Sequence, residues 1–397
     1  MRSVGRLVTI VLLAVLVLSG CTDGGGASDP ATESVAPKDP LTIETSVDDG
    51  ASSVPVDTVV TVDGFDGQLS DVTLASQDGK STVAGDIRGV RWTAEEFLEP
   101  GTPYVLTAVG TGDDGKKVTS TTRFTTRALT LDEQTYPAVA PLQGETVGVG
   151  MPVIVSFDLP VKDRAAFEKR MKVTAEPATV GGWYWLSDNT AHWRPKSFWK
   201  PGTKVSVDLA LNSVPAGGGV YGQQDQHVKF TVGRSVVSVV DTKRHQMTVK
   251  IDGKVRRTIP VSTGDASHRS RNGTKIIMEK HESIDMDAAT TGVDSDDPGY
   301  YNLTGVKYAM RVTNSGEFLH AAPWSVASQG NANVSHGCVG MSTANAGWLF
   351  SKSKRGDVVR YVGSPRRLEP ANGWTDWNVS WGDWLEGSAL QGDADAA

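Results

Sequence analysis

The chain has 397 residues, with 39 Lys and Arg against 46 Asp and Glu, for a formal net charge of -7. It carries no basic block, which argues against nucleic acid as a partner. The length predicts two to three domains.

The N-terminus reads as an export signal. Arg2 and Arg6 precede an apolar run from Leu7 to Leu18, which is too short to span a bilayer but suits a signal core. The run ends in Leu18-Ser19-Gly20-Cys21, which resembles a bacterial lipobox. Residues 1–20 are thus expected to be a lipoprotein signal, with cleavage before Cys21 and a lipid on that cysteine. The plain alternative is a secretory signal with an incidental cysteine. Residues 21–41 are rich in Gly, Ala, Ser, Asp and Pro and lack apolar periodicity. They predict a flexible tether.

Two domain-sized units follow. Trp92, Phe97 and Pro100-Gly101-Thr102 recur at a constant interval as Trp193, Phe198 and Pro201-Gly202-Thr203. A period this long implies two similar domains rather than a solenoid. Alternating residues at Val54, Val56, Thr58, Val60 and Val62, and again from Val149 through Met151, Val153 and Val155 to Phe157, predict strands. Short β-prone runs broken by Gly, Pro, Asp and Asn suit sandwiches over 42–129 and 130–234. Trp92 and Trp193 are expected in their cores.

A third β-rich unit spans 235–363. Strands are predicted at Val236–Val240, Gln246–Ile251, Arg257–Thr263 and Asp357–Val362, and a helix from Ala344 to about Lys354 behind a cap at Ser342-Thr343. In the tail, 364–397, Trp374, Trp377, Trp381 and Trp384 are spaced to form one apolar helical face, expected to pack on the preceding domain.

The chemistry centres on Cys338. If Cys21 is lipidated, Cys338 has no disulfide partner, and a lone thiol outside the cytoplasm needs a reason to persist. It lies in Ser335-His336-Gly337-Cys338. A catalytic cysteine needs a nearby base or positive charge. His336 shares a face with Cys338 in an extended segment, and His320 ends the β-prone run from Gly316. Gly337 allows an unusual backbone that could aim amides at an oxyanion. Chemistry alone leaves open which histidine is the base. It also leaves a zinc site of Cys338, His336 and His320 as a rival.

The stretch GEFLHAAPWSVASQGNANVSHGCVGMS, Gly316 to Ser342, closely resembles the signature of L,D-transpeptidases, bacterial enzymes that cross-link peptidoglycan. With the lipobox, the repeated units and the Trp-rich tail containing Asp376-Trp377-Asn378, most of the chain is similar to the actinobacterial, mycobacterial-type members. The implied fold is mainly β: two immunoglobulin-like β-sandwich domains, then a β-rich, YkuD-type L,D-transpeptidase catalytic domain with one or more short helices. The resemblance implies Cys338 as nucleophile, His320 as general base, the Ala321 carbonyl as its orienting group and His336 as support. It implies an oxyanion hole from the Gly337 and Cys338 amides. Tyr301 and Met286 match flap residues over the pocket, Ser335 and Asn333 line the nucleophile loop, and Trp324 lies in the Ala-Pro-Trp-Ser segment.

The implied reaction forms 3→3 cross-links between a tetrapeptide donor stem and the diamino-acid amine of an acceptor, releasing D-alanine. No metal or organic cofactor is implied. Carbapenem β-lactams are implied as covalent inhibitors, and the outer face of the plasma membrane, facing the cell wall, as the location. The rivals are an L,D-carboxypeptidase and a non-catalytic wall-binding lipoprotein. Gly340 departs from the family, which commonly has Asn or Arg two residues after the cysteine. Read as a missing hydrogen-bond donor, it predicts that Gly340→Asn raises the acylation rate by roughly 2–10-fold.

Overall fold

The computed structural model describes residues 38–390, except 293 and 297–299. The signal, the tether up to residue 37 and Cys21 therefore lie outside the described residues.

The first sandwich packs a four-stranded sheet against a five-stranded one. Its core gathers Val60, Val62, Leu74, Trp92, Leu98, Tyr104 and Leu106. The alternation from Val54 to Val62 does not form one strand. Ala51–Val54 and Thr61–Phe65 lie in different sheets. Pro55 ends the first of them, since it has no N–H to donate to a ladder, and its carbonyl accepts from Thr58 N at 3.1 Å in a turn.

The second sandwich has two four-stranded sheets. Its strand Val153–Phe157 begins only after Pro152, although Val149 and Met151 are also buried. Trp92 and Trp193 are both core residues, 2% and 6% exposed. Each indole lies over a glycine of the adjacent strand. A Cβ on Gly85 would come within 2.2 Å of Trp92, and one on Gly181 within 2.1 Å of Trp193. The internal repeat thus extends to a tryptophan that needs a glycine beside it, because no side chain fits between ring and backbone.

The third unit holds two sheets. The first is ordered Lys254–Pro260, Gln246–Ile251, Val236–Asp241, Val358–Val362, Gly273–Ile276. The second runs Glu279–Asp287, Asn302–Arg311, Phe318–Ala321, Val339–Met341. The helix Thr343–Lys352 is capped by Ser342, whose Oγ accepts from Asn345 N at 3.3 Å. Leu319, Val339, Met341, Ala346 and Leu349 join sheets and helix in one core.

The tail differs from expectation. Its tryptophans do not share one helix: Trp377 lies in a single turn at Asp376–Asn378, and Trp381 and Trp384 in the short helix Trp381–Leu385. They reach the second sandwich, where the Arg194 guanidinium lies 4.9, 5.3 and 4.6 Å from the rings of Trp377, Trp381 and Trp384. Trp384 Nε1 donates to Gly182 O at 2.9 Å, and His192 Nδ1 meets Asp376 Oδ1 at 2.7 Å in a buried pair. Arg355 adds a two-pronged ion pair to Glu145. Tail and ion pair strap the third unit onto the second.

Candidate active site

Two parallel neighbours build the site. Phe318–Ala321 pairs with Val339–Met341 so that His320 lies opposite Gly340. Cys338 precedes the second strand, one residue before the Leu319–Val339 pair, and lines the same cleft as His320. The antiparallel pair Glu279–Asp287 and Asn302–Arg311 brings Met286, and Tyr301 just before its second strand, to the same cleft. A cleft of about 210 Å³ is lined by Met286, Tyr301, His320, Trp324, Ser335, His336, Cys338 and Gly340, together with Ser262, Leu303, Ala322, Ser325 and Val334.

The Cys338 sulfur is buried against Met286, Val306, Ala309 and Phe318. Its thiol donates to Gly316 O at 3.5 Å and accepts from Phe318 N at 3.4 Å. Burial pushes the thiol up to about 12, partly opposed by the Phe318 N–H. The resting Cys338 thiol is therefore neutral.

His320 is 5% exposed. Its Nδ1 lies 2.8 Å from Ala321 O. A carbonyl can only accept, so Nδ1 carries the proton and Nε2 is left bare. Burial lowers its pKa, outweighing the Ala321 carbonyl, and keeps the ring neutral. The Trp324 ring stacks on it at 5.9 Å while remaining 59% exposed at the cleft rim.

His336 stands 4.6 Å from the His268 ring and 5.0 Å from the Tyr301 ring. Burial lowers its pKa, and His268 adds to this. His268 in turn faces Asp265 at 3.2 Å. Tyr301 is pushed up to about 12, mainly by burial, so its hydroxyl keeps its proton.

The fold and the site have counterparts. The bacterial Ig domain family matches residues 51–215, and the L,D-transpeptidase catalytic domain (YkuD) family matches residues 235–360. L,D-transpeptidase 2 of Mycobacterium tuberculosis (strain CDC 1551 / Oshkosh) is 36% identical over 396 residues, covering 96% of this chain and 95% of that protein. The chain belongs to the L,D-transpeptidase family. L,D-transpeptidase 5 of Mycobacterium tuberculosis (strain ATCC 25618 / H37Rv) is also 36% identical, over 96% of this chain and 83% of its own length. A solved LD transpeptidase, LdtMt1 in complex with imipenem, is 37% identical with a TM-score of 0.51, covering 57% of this chain and 99% of that one. This chain is an acyltransferase of that class, built on Ig-like and YkuD folds.

Three residues of this transpeptidase differ from the sequence reading. Asn333 does not line the cleft. Its Oδ1 accepts from Thr263 N, Thr263 Oγ1 and His245 Nδ1 at 2.8–3.0 Å, and its Nδ2 donates to Thr242 O at 2.8 Å. It is a buttress under the loop that leads to Cys338, with its polar atoms committed to scaffold. Gly337 does adopt φ +128°, but its amide donates to Ser335 Oγ at 3.1 Å. That hydroxyl also donates to Cys338 O at 2.7 Å. Ser335 thus ties the loop together and takes the donor expected to face an oxyanion.

Gly340 is the third. It lies outside the left-handed region. It exchanges backbone hydrogen bonds with Ser262 at 2.8 and 3.0 Å. A Cβ here would come within 2.9 Å of Ala322 Cβ. The space of the missing side chain is filled by Ala322, so the glycine answers a packing constraint. Regarding the zinc rival, no three His, Cys, Asp or Glu side chains among the described residues converge to hold a metal ion.

Sequence reasoning missed a buried charge cluster under Cys338. Glu317 is ion-paired to Lys275, and its Oε1 also accepts from Arg271 N at 2.9 Å and Arg271 Nη1 at 3.1 Å. Lys275 lies 3.4 Å from the Tyr361 ring centre, and burial lowers it to about 8 against the pull of Glu317. The signal available was Glu317 between Gly316 and Phe318, an acidic residue immediately before the buried strand Phe318–Ala321.

Proposed function

We propose that this chain forms 3→3 cross-links in peptidoglycan through a thioester on Cys338. The observation that carries the reading is the His320 tautomer. With Nδ1–H held by Ala321 O, the bare Nε2 of a neutral imidazole shares a cleft with a neutral thiol. That is the starting state a general base requires.

In the first half-reaction His320 Nε2 takes the thiol proton, and the sulfur attacks the carbonyl of the third, diamino-acid residue of a tetrapeptide stem. The Cys338 amide supports the developing oxyanion. Collapse breaks the bond to terminal D-alanine, whose amine leaves with the proton from His320. In the second half-reaction the side-chain amine of a neighbouring stem attacks the thioester and loses a proton to His320. The thiolate leaves and is reprotonated. Tyr301 and Met286 cover the acyl chain, while Trp324 holds the His320 ring from the open side. Carbapenems react in the same way, the sulfur opening the β-lactam amide.

The lipobox at Leu18 to Cys21 supports an anchor on the outer face of the plasma membrane, with residues 21–41 as the tether towards the wall. Protein with an intact N-terminus should take up a fatty-acid probe, and Cys21→Ala should not. Labelling that persists in the variant removes the anchor assignment.

Intact-protein mass after carbapenem treatment tests the nucleophile. Wild type should gain one adduct, and Cys338→Ala none. An adduct on the variant places the nucleophile elsewhere.

A further inference from the structure

The thioester chemistry leaves unused the charges buried beneath Cys338. The Lys275 side chain is fully enclosed and that of Glu317 is 2% exposed. Burying an ion pair rarely gains stability over an apolar pair of the same shape. Its placement here coincides with the nucleophile on three counts.

The first is position. Gly316, at φ +86°, closes a turn whose N–H donates to Thr313 O at 3.4 Å. Gly316 O and Phe318 N, the groups on either side of Glu317, bracket the Cys338 sulfur, while Lys275 and Arg271 grip the Glu317 carboxylate. The second is the loop. A Cβ on Gly337 would meet Glu317 Cγ at 3.4 Å, so the carboxyl chain lies under the peptide before Cys338. The third is the backbone. Glu317 N–H donates to Thr313 Oγ1 at 2.9 Å, and its carbonyl accepts from Val312 N at 2.9 Å. The segment is held at its side chain and at both backbone groups.

We propose that Glu317, clamped by Lys275 and Arg271, is a positioning residue of the transpeptidase that fixes the Gly316–Phe318 bracket around the Cys338 sulfur and balances the charge beneath it. This rests on the reading of Cys338 as nucleophile. The charges felt by the sulfur come from Glu317, which disfavours the thiolate, and from Lys275 and Arg311, which favour it. His320, His336 and Tyr301 line the open side. Glu317 and Lys275 therefore act on the thiol with opposite signs.

The test uses the full chain and two readouts. The first is the rate of Cys338 alkylation by iodoacetamide at pH 7, below the pKa of Lys275, followed by mass. The second is the acylation rate with a carbapenem, normalised to alkylatable thiol. Glu317→Gln should raise the alkylation rate and Lys275→Met should lower it, each by about tenfold or more. The double variant Lys275→Met/Glu317→Leu replaces the pair by apolar bulk and so avoids a lone buried charge. It should fold, alkylate at a rate near wild type, and acylate at least tenfold more slowly, because the bracket is no longer gripped. If a single variant fails to fold, the double variant carries the test.

A purely structural role would lower the yield of folded protein without rate changes of opposite sign. Alkylation rates at pH 7 that stay at the wild-type value in folded single variants, or a double variant that acylates at the wild-type rate, overturn the proposal. Alkylation reads Cys338 whether or not it is the nucleophile. Wild-type protein that is alkylated at Cys338 but never acylated would instead remove the functional reading beneath it.

Discussion

Gly340→Asn separates the sequence reading from the structural one. As a missing donor, the position promises a gain, because a hydrogen bond to substrate is worth ~0.5–1.5 kcal/mol. The structure opposes it. The new Cβ would come within 2.9 Å of Ala322 Cβ, which has no flexible end to swing away. Nor can the strands part freely. Gly340 is paired on both sides of its peptide with Ser262, and Ala322 N donates to Met341 O at 2.8 Å. Relief therefore shifts the segment bearing His320 against the one following Cys338. Overpacking of this kind costs ~1–3 kcal/mol. If the strain appears in the acylation barrier, the rate falls by roughly 5- to 150-fold at ~1.4 kcal/mol per factor of ten. The expected result is slower second-order acylation by a carbapenem, measured by mass, with a lowered Tm. Ala322→Gly in the same background should recover most of the loss, since the two side chains contact each other and their effects should couple. Gly340→Asn protein that acylates at least as fast as wild type with an unchanged Tm refutes the packing argument and restores the glycine as a deficit.

His320→Ala should slow acylation by ~10²–10⁴-fold, the usual contribution of a positioned base, whereas His336→Ala should cost less; the reverse order in stopped-flow acylation would exchange the two roles. Asn333→Ala should lower Tm while leaving the KM for a stem peptide near wild type, because Asn333 binds Thr263, His245 and Thr242 rather than the cleft; a KM effect without a Tm effect would return it to the substrate. Asp357 is raised from 3.8 to about 7, chiefly by burial. Its folded pKa lies above the unfolded one, so it withdraws stability as pH rises from about 4 to 7, by on the order of 4 kcal/mol in total. Asp357→Asn should therefore gain Tm relative to wild type at pH 8 and little at pH 4, and a difference that does not change with pH would remove Asp357 as the cause.

The fold class was legible because its signals are local. Alternation, turn residues and the duplicated Trp-Phe-Pro-Gly-Thr pattern mark β sandwiches before any contact is known, and the Ser342 cap marks its helix. The cleft around Cys338 was legible because two histidines and a glycine stand near that cysteine in sequence, and both histidines line the cleft with it. What stayed hidden depends on partners far apart in sequence. Gly340 looks like a loss until Ala322 is placed against it. Asn333 looks like a pocket residue until Thr242, His245 and Thr263 converge on it. Glu317 is one charge ahead of a strand until Lys275 and Arg271 arrive from an earlier segment of the chain. The tail tryptophans have helical spacing, yet Arg194 of the second sandwich offers a cationic face that three rings surround, and the chain turns to meet it.

The resting protonation of the site bears on why a lone thiol can persist outside the cytoplasm, where the proposed anchor would place it. Oxidants and disulfides react with thiolate, not thiol. Cys338 is held at about 12 by burial, so almost none of it is ionised at neutral pH, and Met286 and Phe318 cover the sulfur. The same burial lowers His320 and denies it a resting proton. Neither group holds the other as an ion pair before substrate arrives. Proton transfer from sulfur to Nε2 is then uphill at rest and becomes favourable only as the sulfur bonds to an acyl carbon, which consumes the charge as it forms. A site arranged in this way is slow towards small oxidants and fast only towards a carbonyl held in the cleft. Peroxide should accordingly oxidise Cys338 far more slowly than it oxidises a free cysteine at the same pH, by mass, while a carbapenem acylates it readily. Oxidation as fast as that of free cysteine would mean that the resting thiol is substantially ionised, and the neutral-pair account of this site would fail.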